Sequence, residues 1–467
     1  MFKINFNEPI HVHFIGIGGI SMSGLAEILL KEGFTVSGSD RSSSEMTNRL
    51  SHCGAHIMIG QTAENITDDI DLVVYTAAIH PDNEEFKMAQ AKQIPMISRA
   101  CLLGQMMTNY ETPIAVSGTH GKTTTTAMVS EILMKADLDP TITVGGILES
   151  IGGNIRVGSS PVFITEACEY TNSFLEFHPT ISIILNVEPD HMDFFHNIEE
   201  IRHSFHEFAK KLPDDGLLII NGDMDGIPEI THHLTSRIKT FGFSSHCNYC
   251  ATNIGYNELG NGYYDLLIDE VSSIHVQLSV PGAHNVMNSL SAIAVALELH
   301  ISNEDIQAGL LAFGGTKRRF EYKGKRNGVT IIDDYAHHPT EIKATLQSAK
   351  HYPHNELWCV FQPHTYTRTK AFLHDFAEAL RLADHVILLD IYAAREQDTK
   401  EVSSLDILTI LTKEYQSDAI YVASFEEAQE YLHSHCQHND LIITMGAGDV
   451  VKIGENLLNE TKFSIKE

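Results

Sequence analysis

Positive charge is scarce in this chain: 32 Lys and Arg face 61 Asp and Glu, a formal net charge of −29 over 467 residues. A surface for nucleic acid or anionic lipid needs basic patches, so this balance argues against both partners. Long apolar runs are missing as well. None approaches the ~20 residues that cross a bilayer, which argues against membrane insertion. Met1 to Ile10 holds an acid and a proline but no apolar core, unlike a signal peptide, so a cytoplasmic protein is expected. Cysteine is sparse and scattered, seven in all, as for reduced thiols. Cys247 and Cys250 form a lone C-x-x-C with no second pair at zinc-site spacing, and read as structural. There is no low-complexity segment, short-period repeat or Gly/Ser linker. What remains is an ordinary globular composition, 43% hydrophobic and 20% charged, long enough for two to four domains.

The most informative stretch is Ser117 to Thr126, S-G-T-H-G-K-T-T-T-T. An apolar run, Pro113 to Val116, precedes it, and Ala127 to Ala136 follows with Met128, Ile132 and Leu133 at helical spacing. Strand, glycine turn and helix start in that order bring backbone N–H groups and a helix dipole onto a phosphate. Gly118 and Gly121 admit close backbone approach, Lys122 can reach β/γ oxygens, and Thr123 can put its hydroxyl on Mg²⁺. Two residues separate these glycines where the usual loop has four. The stretch reads as a nucleoside triphosphate site, with Thr119, His120 and Thr124 among its residues.

Around it, strands alternate with helices. In residues 1–106 the strand His11 to Ile17 turns through Gly16, Gly18, Gly19 and Ser21 into a helix, and Phe34 to Gly38 ends at Ser39 and Asp40. That turn supports a diphosphate at a helix N-terminus, although Ser21 stands where a dinucleotide fingerprint has its third glycine. Asp40 reads either as a partner for a sugar hydroxyl or as a plain turn residue. In residues 107–315, Val162 to Thr165 runs into Glu166-Ala-Cys-Glu169, and Ile181 to Asn186 into Val-Glu-Pro-Asp-His191-Met-Asp193. Carboxylates and an imidazole beside a triphosphate are what a Mg²⁺ site uses. His284, Asn285 and Asn288 then open a helix, the two amides on one face. Six of the ten residues from Lys317 to Arg326 are basic, either a solvated linker or a run facing phosphates. In residues 316–467 four strands end in Asp333 to Pro339, Gln362 to Lys370, Tyr392 to Arg395 and Met445 to Asp449. The predicted fold is α/β with three domains: a Rossmann-like N-terminal one, a central phosphate-loop domain with a mostly parallel sheet, and a Rossmann-like C-terminal one.

Taken together, these stretches resemble the Mur ligases, ATP-dependent enzymes that add amino acids to the cytoplasmic peptidoglycan precursor. His120 in the loop and the run Asp334-Tyr-Ala-His337-His-Pro339 look like the member that adds L-alanine. The alternative is the recycling member that attaches an intact tripeptide to the same nucleotide sugar. A nicotinamide oxidoreductase, resting on the first glycine turn alone, leaves Lys122 unexplained. The resemblance implies ATP and Mg²⁺ as cofactors, and UDP-N-acetylmuramate and L-alanine as substrates, in a monomer or weak homodimer. It implies that the lactyl carboxylate attacks the γ-phosphate to give an acyl phosphate, which the amine of L-alanine then opens. By the same resemblance Lys122 holds the β/γ phosphates, while Thr123, Glu166 and His191 hold metal. His284, Asn285 and Asn288 lie at the adenine end, and Arg319 reaches the phosphates. Asp334 and His337 serve ATP and the amino acid, Arg368 meets substrate carboxylates, and the Gly16 to Gly19 turn cradles the UDP diphosphate. Some relatives have arginine where Thr365 stands, so Arg368 carries the cationic work there, and no carbamylated lysine is assigned. The third domain is expected to close over ATP.

Overall fold

Strands form where the sequence gives short apolar runs, and each run ends in glycine or polar residues that stop it. A computed structural model of the chain describes residues 2–459 apart from 77, 193, 395 and 399. Asp193 and Arg395, named above, lie outside the described residues. The backbone forms three sheets. Contacts divide the chain into two compact units: Met1–Thr126, Leu133–Val187 and Arg202–Lys239 make the first, and Ala127–Ile132, Glu188–Ile201 and Thr240–Glu467 the second.

The first unit opens with β1 (His11–Ile15), β2 (Thr35–Asp40), β3 (His56–Ile59), β4 (Leu72–Tyr75) and β5 (Met96–Ser98). They lie in the order β3-β2-β1-β4-β5, all parallel. The order reverses between β1 and β4, where an open α/β sheet receives ligands. The helix Ile20–Lys31 buries Met22, Leu25, Ala26, Ile28 and Leu29, each large side chain contributing about 1.5–3 kcal/mol. Gly24 in that helix leaves room for Ile155 of the same unit, because a Cβ there would lie 1.3 Å from Ile155 Cδ1.

The same unit continues with β6 (Thr112–Ser117), β7 (Thr141–Leu148), β8 (Gly153–Arg156), β9 (Val162–Ala167), β10 (Ile181–Ile184) and β11 (Leu217–Asn221). Their order is β11-β10-β6-β9-β7-β8, with only β8 antiparallel to its neighbour. Strand β6 therefore lies between β9 and β10, so three parallel strands deliver the phosphate loop, Glu166 and Asn186 side by side. The following helix spans Lys122–Lys135 and starts at the lysine itself, five residues before the apolar periodicity begins.

β12 (Arg237–Gly242) carries the chain into the second unit. There β13 (Tyr249–Tyr256), β14 (Asn261–Ile268) and β15 (Val271–Pro281) form an antiparallel meander that leads into the helix Ala283–Glu298. A six-stranded sheet follows: β16 (Glu321–Arg326), β17 (Val329–Asp334), β18 (Leu357–Phe361), β19 (His385–Leu388), β20 (Asp418–Tyr421) and β21 (Leu441–Met445). The order is β16-β17-β21-β18-β19-β20, with β16 alone antiparallel. Apolar clusters cover both faces of this sheet. Part of the basic run thus becomes edge strand β16, where Lys323 meets Glu455 at 3.0 Å and Glu321 at 3.3 Å. Charge on an edge strand discourages pairing with another chain, so this half of the run has a structural role. No helix among the described residues is long and apolar enough to cross a membrane.

Candidate active site

The phosphate loop is shaped by two glycines with positive φ, Gly118 at 141° and Gly121 at 86°. A Cβ on Gly118 would sit 2.9 Å from Leu185 Cβ, so both the conformation and the space call for glycine. Asn186 clamps the loop. Its side-chain oxygen accepts from His120 N–H at 2.7 Å, its amide donates to the His120 carbonyl at 3.1 Å, and its own carbonyl accepts from Thr119 N–H at 3.1 Å. The donors of Thr119 and His120 are thereby engaged within the chain. The N–H groups left for an anion are those of the first helical turn, Lys122 to Thr124, which have no partner inside the helix.

The Lys122 ammonium donates to the Gly118 carbonyl, to the Thr119 carbonyl at 3.1 Å and to Glu169 Oε2 at 3.0 Å. Only 16% of its side chain is exposed. Burial pulls the ammonium down, but Glu169, Cys168 and Glu166 outweigh that and hold it above the ordinary lysine value. It is a fixed positive charge at every working pH. Glu166 follows from β9, and its Oε1 accepts a short hydrogen bond from Gly145 N–H on β7. Its other oxygen makes no hydrogen bond among the described residues. A Cβ on Gly145 would stand 2.8 Å from that second oxygen. Replacing Gly145 by alanine is therefore expected to displace the carboxylate and raise the Mg²⁺ concentration for half-maximal activity by about 10-fold. A metal titration of wild type and G145A checks this.

At the first glycine turn, Ser39 and Asp40 hold the chain rather than standing free. The Ser39 carbonyl accepts from both Gly16 and Ile17 N–H at 2.9 Å, and its hydroxyl donates to the buried Glu85 at 2.6 Å. Asp40 Oδ2 accepts from Gly18 N–H at 2.9 Å, and Gly19 N–H donates to the Gly16 carbonyl at 3.2 Å. The helix that starts at Ile20, with Ser21 in its first turn, has no side-chain cap. Its N-terminus is left uncapped by any side chain, the kind of position in which backbone N–H groups can meet an anion.

In the second unit Arg368 is the centre of a cluster. Its guanidinium donates to Asp190 Oδ1 at 2.9 and 3.3 Å and to His364 Nδ1 at 3.1 Å. Burial raises the Asp190 carboxyl, but Arg368 and His191 overcome this and hold it well below the usual carboxylate range. His191 N–H donates to Asp190 Oδ1 at 2.7 Å, and its φ of 53° turns the chain sharply there. His337 Nδ1 lies 2.9 Å from the Tyr335 carbonyl, and burial pushes the imidazole down to about 4, with Glu341 opposing and Arg368 assisting. The ring is neutral near pH 7, and donation from Nδ1 leaves Nε2 as an acceptor.

Asp334 lies at the tip of β17. Its carboxyl accepts from Ala336 N–H at 2.8 Å, Phe320 N–H at 3.0 Å and the Thr345 hydroxyl at 3.0 Å, and burial pushes it up to about 6. Arg319 lies 3.7 Å from Glu341 and 5.4 Å over the Tyr335 ring, whereas its neighbour Arg318 is tied to Asp333 at 2.9 Å and the Gly446 carbonyl at 2.7 Å. His284 is pushed down to about 4, first by burial and then by Arg319. Asn285 donates to the Pro281 carbonyl at 2.7 Å and accepts from Asn288 at 3.2 Å, so the two amides do share one face.

The residues that sequence reasoning left without a role are Asp190, Glu169, Asn186, His364 and Gly145. Asp190 and Glu169 lay inside stretches already singled out, but their partners are Arg368 and Lys122, distant in the chain. A strained non-glycine position, Thr365 at φ 68°, starts the short helix Tyr366–Ala371 that carries Arg368.

The fold and the loop define a phosphate-binding α/β protein built from three sheets. Three family models match it along its length: the Mur ligase catalytic domain over residues 11–111, the Mur ligase middle domain over 116–296 and the Mur ligase glutamate ligase domain over 318–448. The chain belongs to the Mur ligase family. A UDP-N-acetylmuramate–L-alanine ligase of Lachnospira eligens is 58% identical over 459 residues, 98% of this chain and 100% of that protein. The protein of the same name from Agathobacter rectalis is also 58% identical, over 460 residues, with the same coverage. Among solved structures, UDP-N-acetylmuramate-alanine ligase from Thermotoga maritima superposes with a TM-score of 0.80 at 30% identity, covering 96% of this chain and 98% of that one. A murein peptide ligase from Psychrobacter arcticus reaches 0.70 at 25% identity with the same coverage.

Proposed function

We propose that this chain is an ATP-dependent ligase that joins L-alanine to the lactyl carboxylate of UDP-N-acetylmuramate, releasing ADP and phosphate. What carries the reading is identity of 58% across 98% of the chain with ligases of that name. The tripeptide-recycling ligase is not favoured: among solved structures two such ligases superpose with TM-scores of 0.70 and 0.60, at 25% and 29% identity, against 0.80 at 30% for the L-alanine ligase. We place the domain divisions of this ligase at residues 106/107 and 315/316.

A carboxylate is a poor electrophile, so it must first displace a good leaving group, here ADP from ATP, to become an acyl phosphate. Two anions then have to meet. Lys122 and the first helical turn after it hold the β/γ phosphates, and Thr123, Glu166 and His191 supply hard oxygen and imidazole donors suited to Mg²⁺. Bound Mg²⁺ neutralises phosphate charge. His284, Asn285 and Asn288 face the adenine end, and Arg319 offsets charge on the transferring phosphoryl group. Asp334 fixes the segment bearing Arg319 through Phe320 N–H. Arg368 receives the carboxylate of L-alanine, and the neutral His337 accepts from the incoming amine without repelling it. The uncapped helix start at Gly16 to Ser21 takes the UDP diphosphate.

Product analysis with UDP-N-acetylmuramate, ATP, Mg²⁺ and a mixture of amino acids tests this. The expected product is the L-alanine adduct with one phosphate released. Phosphate release with the tripeptide and none with L-alanine would overturn it.

A further inference from the structure

Glu85 is wholly buried in the first turn of the helix Glu84–Ala91, in the same unit as the first glycine turn. The helix dipole favours a negative charge there, but a carboxylate taken out of water is costly unless donors meet it. Here the donors are specific. The Ser39 hydroxyl donates to Oε2 at 2.6 Å, and the Asn65 amide donates to Oε1 at 2.6 Å. The buried His13 ring stands beside them, its Nε2 3.8 Å from Oε1 and without a hydrogen bond among the described residues. His13 Nδ1 lies 2.9 Å from the Ser37 hydroxyl, which is also 2.8 Å from His11 Nε2. β1 and β2 therefore carry buried polar side chains at His13, Ser37 and Ser39 in a sheet whose other positions are largely apolar. Well-packed apolar residues of similar volume serve a core at least as well, so stability alone does not account for such a cluster.

Its effect is felt one bond further on. Ser39 and Asp40 hold the glycine turn: the Ser39 carbonyl accepts from Gly16 and Ile17 N–H, and Asp40 Oδ2 accepts from Gly18 N–H. Glu85 reaches both residues. It holds Ser39 directly. It reaches Asp40 through Asn65, whose amide also donates to the Gly60 carbonyl at 2.8 Å, while Gly60 N–H donates to the Asp40 carbonyl at 2.8 Å. Gly19 N–H is on the Gly16 carbonyl, and the first intrahelical bond runs from Ser23 N–H to the Gly19 carbonyl. The N–H groups left for an anion are then those of Ile20, Ser21 and Met22. The turn sets where they point, and one carboxylate anchors the two residues that set the turn.

We propose that Glu85 is a positioning residue for the nucleotide-sugar substrate, acting through Ser39 and Asp40 on the turn that meets its diphosphate. This rests on the function proposed above. Steady-state kinetics of wild type, E85A, E85Q, S39A and S39A/E85A test it, with the thermal midpoint of each measured alongside. For E85A the KM for UDP-N-acetylmuramate is expected to rise about 10-fold, the scale of one lost hydrogen bond to a charged group. Its kcat and its KM values for ATP and L-alanine are expected to stay unchanged. Glutamine can serve Asn65 with its oxygen and Ser39 with its amide, so E85Q brings the KM most of the way back. S39A is expected to raise the same KM, and S39A/E85A to be no worse than E85A, because the two side chains act along one path. A wild-type KM for UDP-N-acetylmuramate in E85A with a lowered thermal midpoint marks a purely structural carboxylate and overturns the proposal. An equal rise in the KM for ATP, or multiplying effects in the double variant, overturns it too. Should E85A not fold, S39A decides, since it leaves the carboxylate its Asn65 partner: an unchanged KM there overturns the proposal. If the wild type itself makes no adduct from UDP-N-acetylmuramate and L-alanine, the proposed function fails; if it does and the KM shift is absent, Glu85 alone fails.

Discussion

Replacing Lys122 by alanine is expected to lower kcat/KM for ligation by about 10³-fold and to destabilise the fold at the same time. The catalytic part follows from charge. Two unit negative charges 4 Å apart repel by roughly 4 kcal/mol at an effective dielectric of 20, which is about a thousandfold in rate when nothing offsets it. The stability part follows from Glu169, 2% exposed, whose carboxylate loses the ammonium 3.0 Å away. Removing one partner of a buried pair costs on the order of 3 kcal/mol. The two effects separate in the double variant K122A/E169A, which is expected to regain most of the lost stability and none of the activity. Urea denaturation and coupled phosphate release measure the two readouts. Wild-type ligation by K122A at saturating ATP would show that the loop lysine has no such role.

The parallel sheets were legible in the sequence because each strand is a short apolar run stopped by glycine or polar residues. β6, β17, β18 and β21 fall within a residue or two of where those runs predict them. The loop was legible because a strand, two glycines, a lysine and a helix have few other uses in that order. The antiparallel meander β13 to β15 was not, because its half-exposed strands, with burial alternating along β14, carry no long apolar run. Adjacent alternatives were also beyond reach. Nothing local says that Arg318 rather than Arg319 ties to Asp333, or that Glu169 rather than Glu166 pairs with Lys122. Those choices depend on side-chain direction at strand ends. Asp190 shows the same limit from another side: its stretch was singled out, but its meaning comes from Arg368, 178 residues away.

That pair carries the second large effect. Asp190 and Arg368 are 9% and 10% exposed, so D190A leaves the guanidinium with only the His364 ring as a described side-chain partner. A stability loss of about 3–5 kcal/mol is expected. Activity is expected to fall about 10²-fold, because a guanidinium displaced by an ångström no longer presents the amino acid correctly. The pH dependence distinguishes this pair from its neighbours. Asp190 has its folded value held below the unfolded 3.8, so its contribution is complete above 3.8 and is lost as pH falls through the lower folded value. His284, His337 and His364 are each pushed down to about 4 from 6.5, chiefly by burial, so the unfolded chain binds more protons between those values. Their contribution is lost as pH falls from 6.5 through about 4. Asp334 opposes them. Burial pushes it up to about 6, so its folded form takes a proton earlier than the unfolded chain does, and acidification through that window favours the fold. The wild type should therefore lose stability below about pH 6, with a slope of roughly 1–3 kcal/mol per pH unit. The D190A curve should run nearly parallel beneath it from about pH 8 to about pH 5 and approach it only below about pH 4. Convergence already near pH 6 would mean that the aspartate is not held ionised by Arg368.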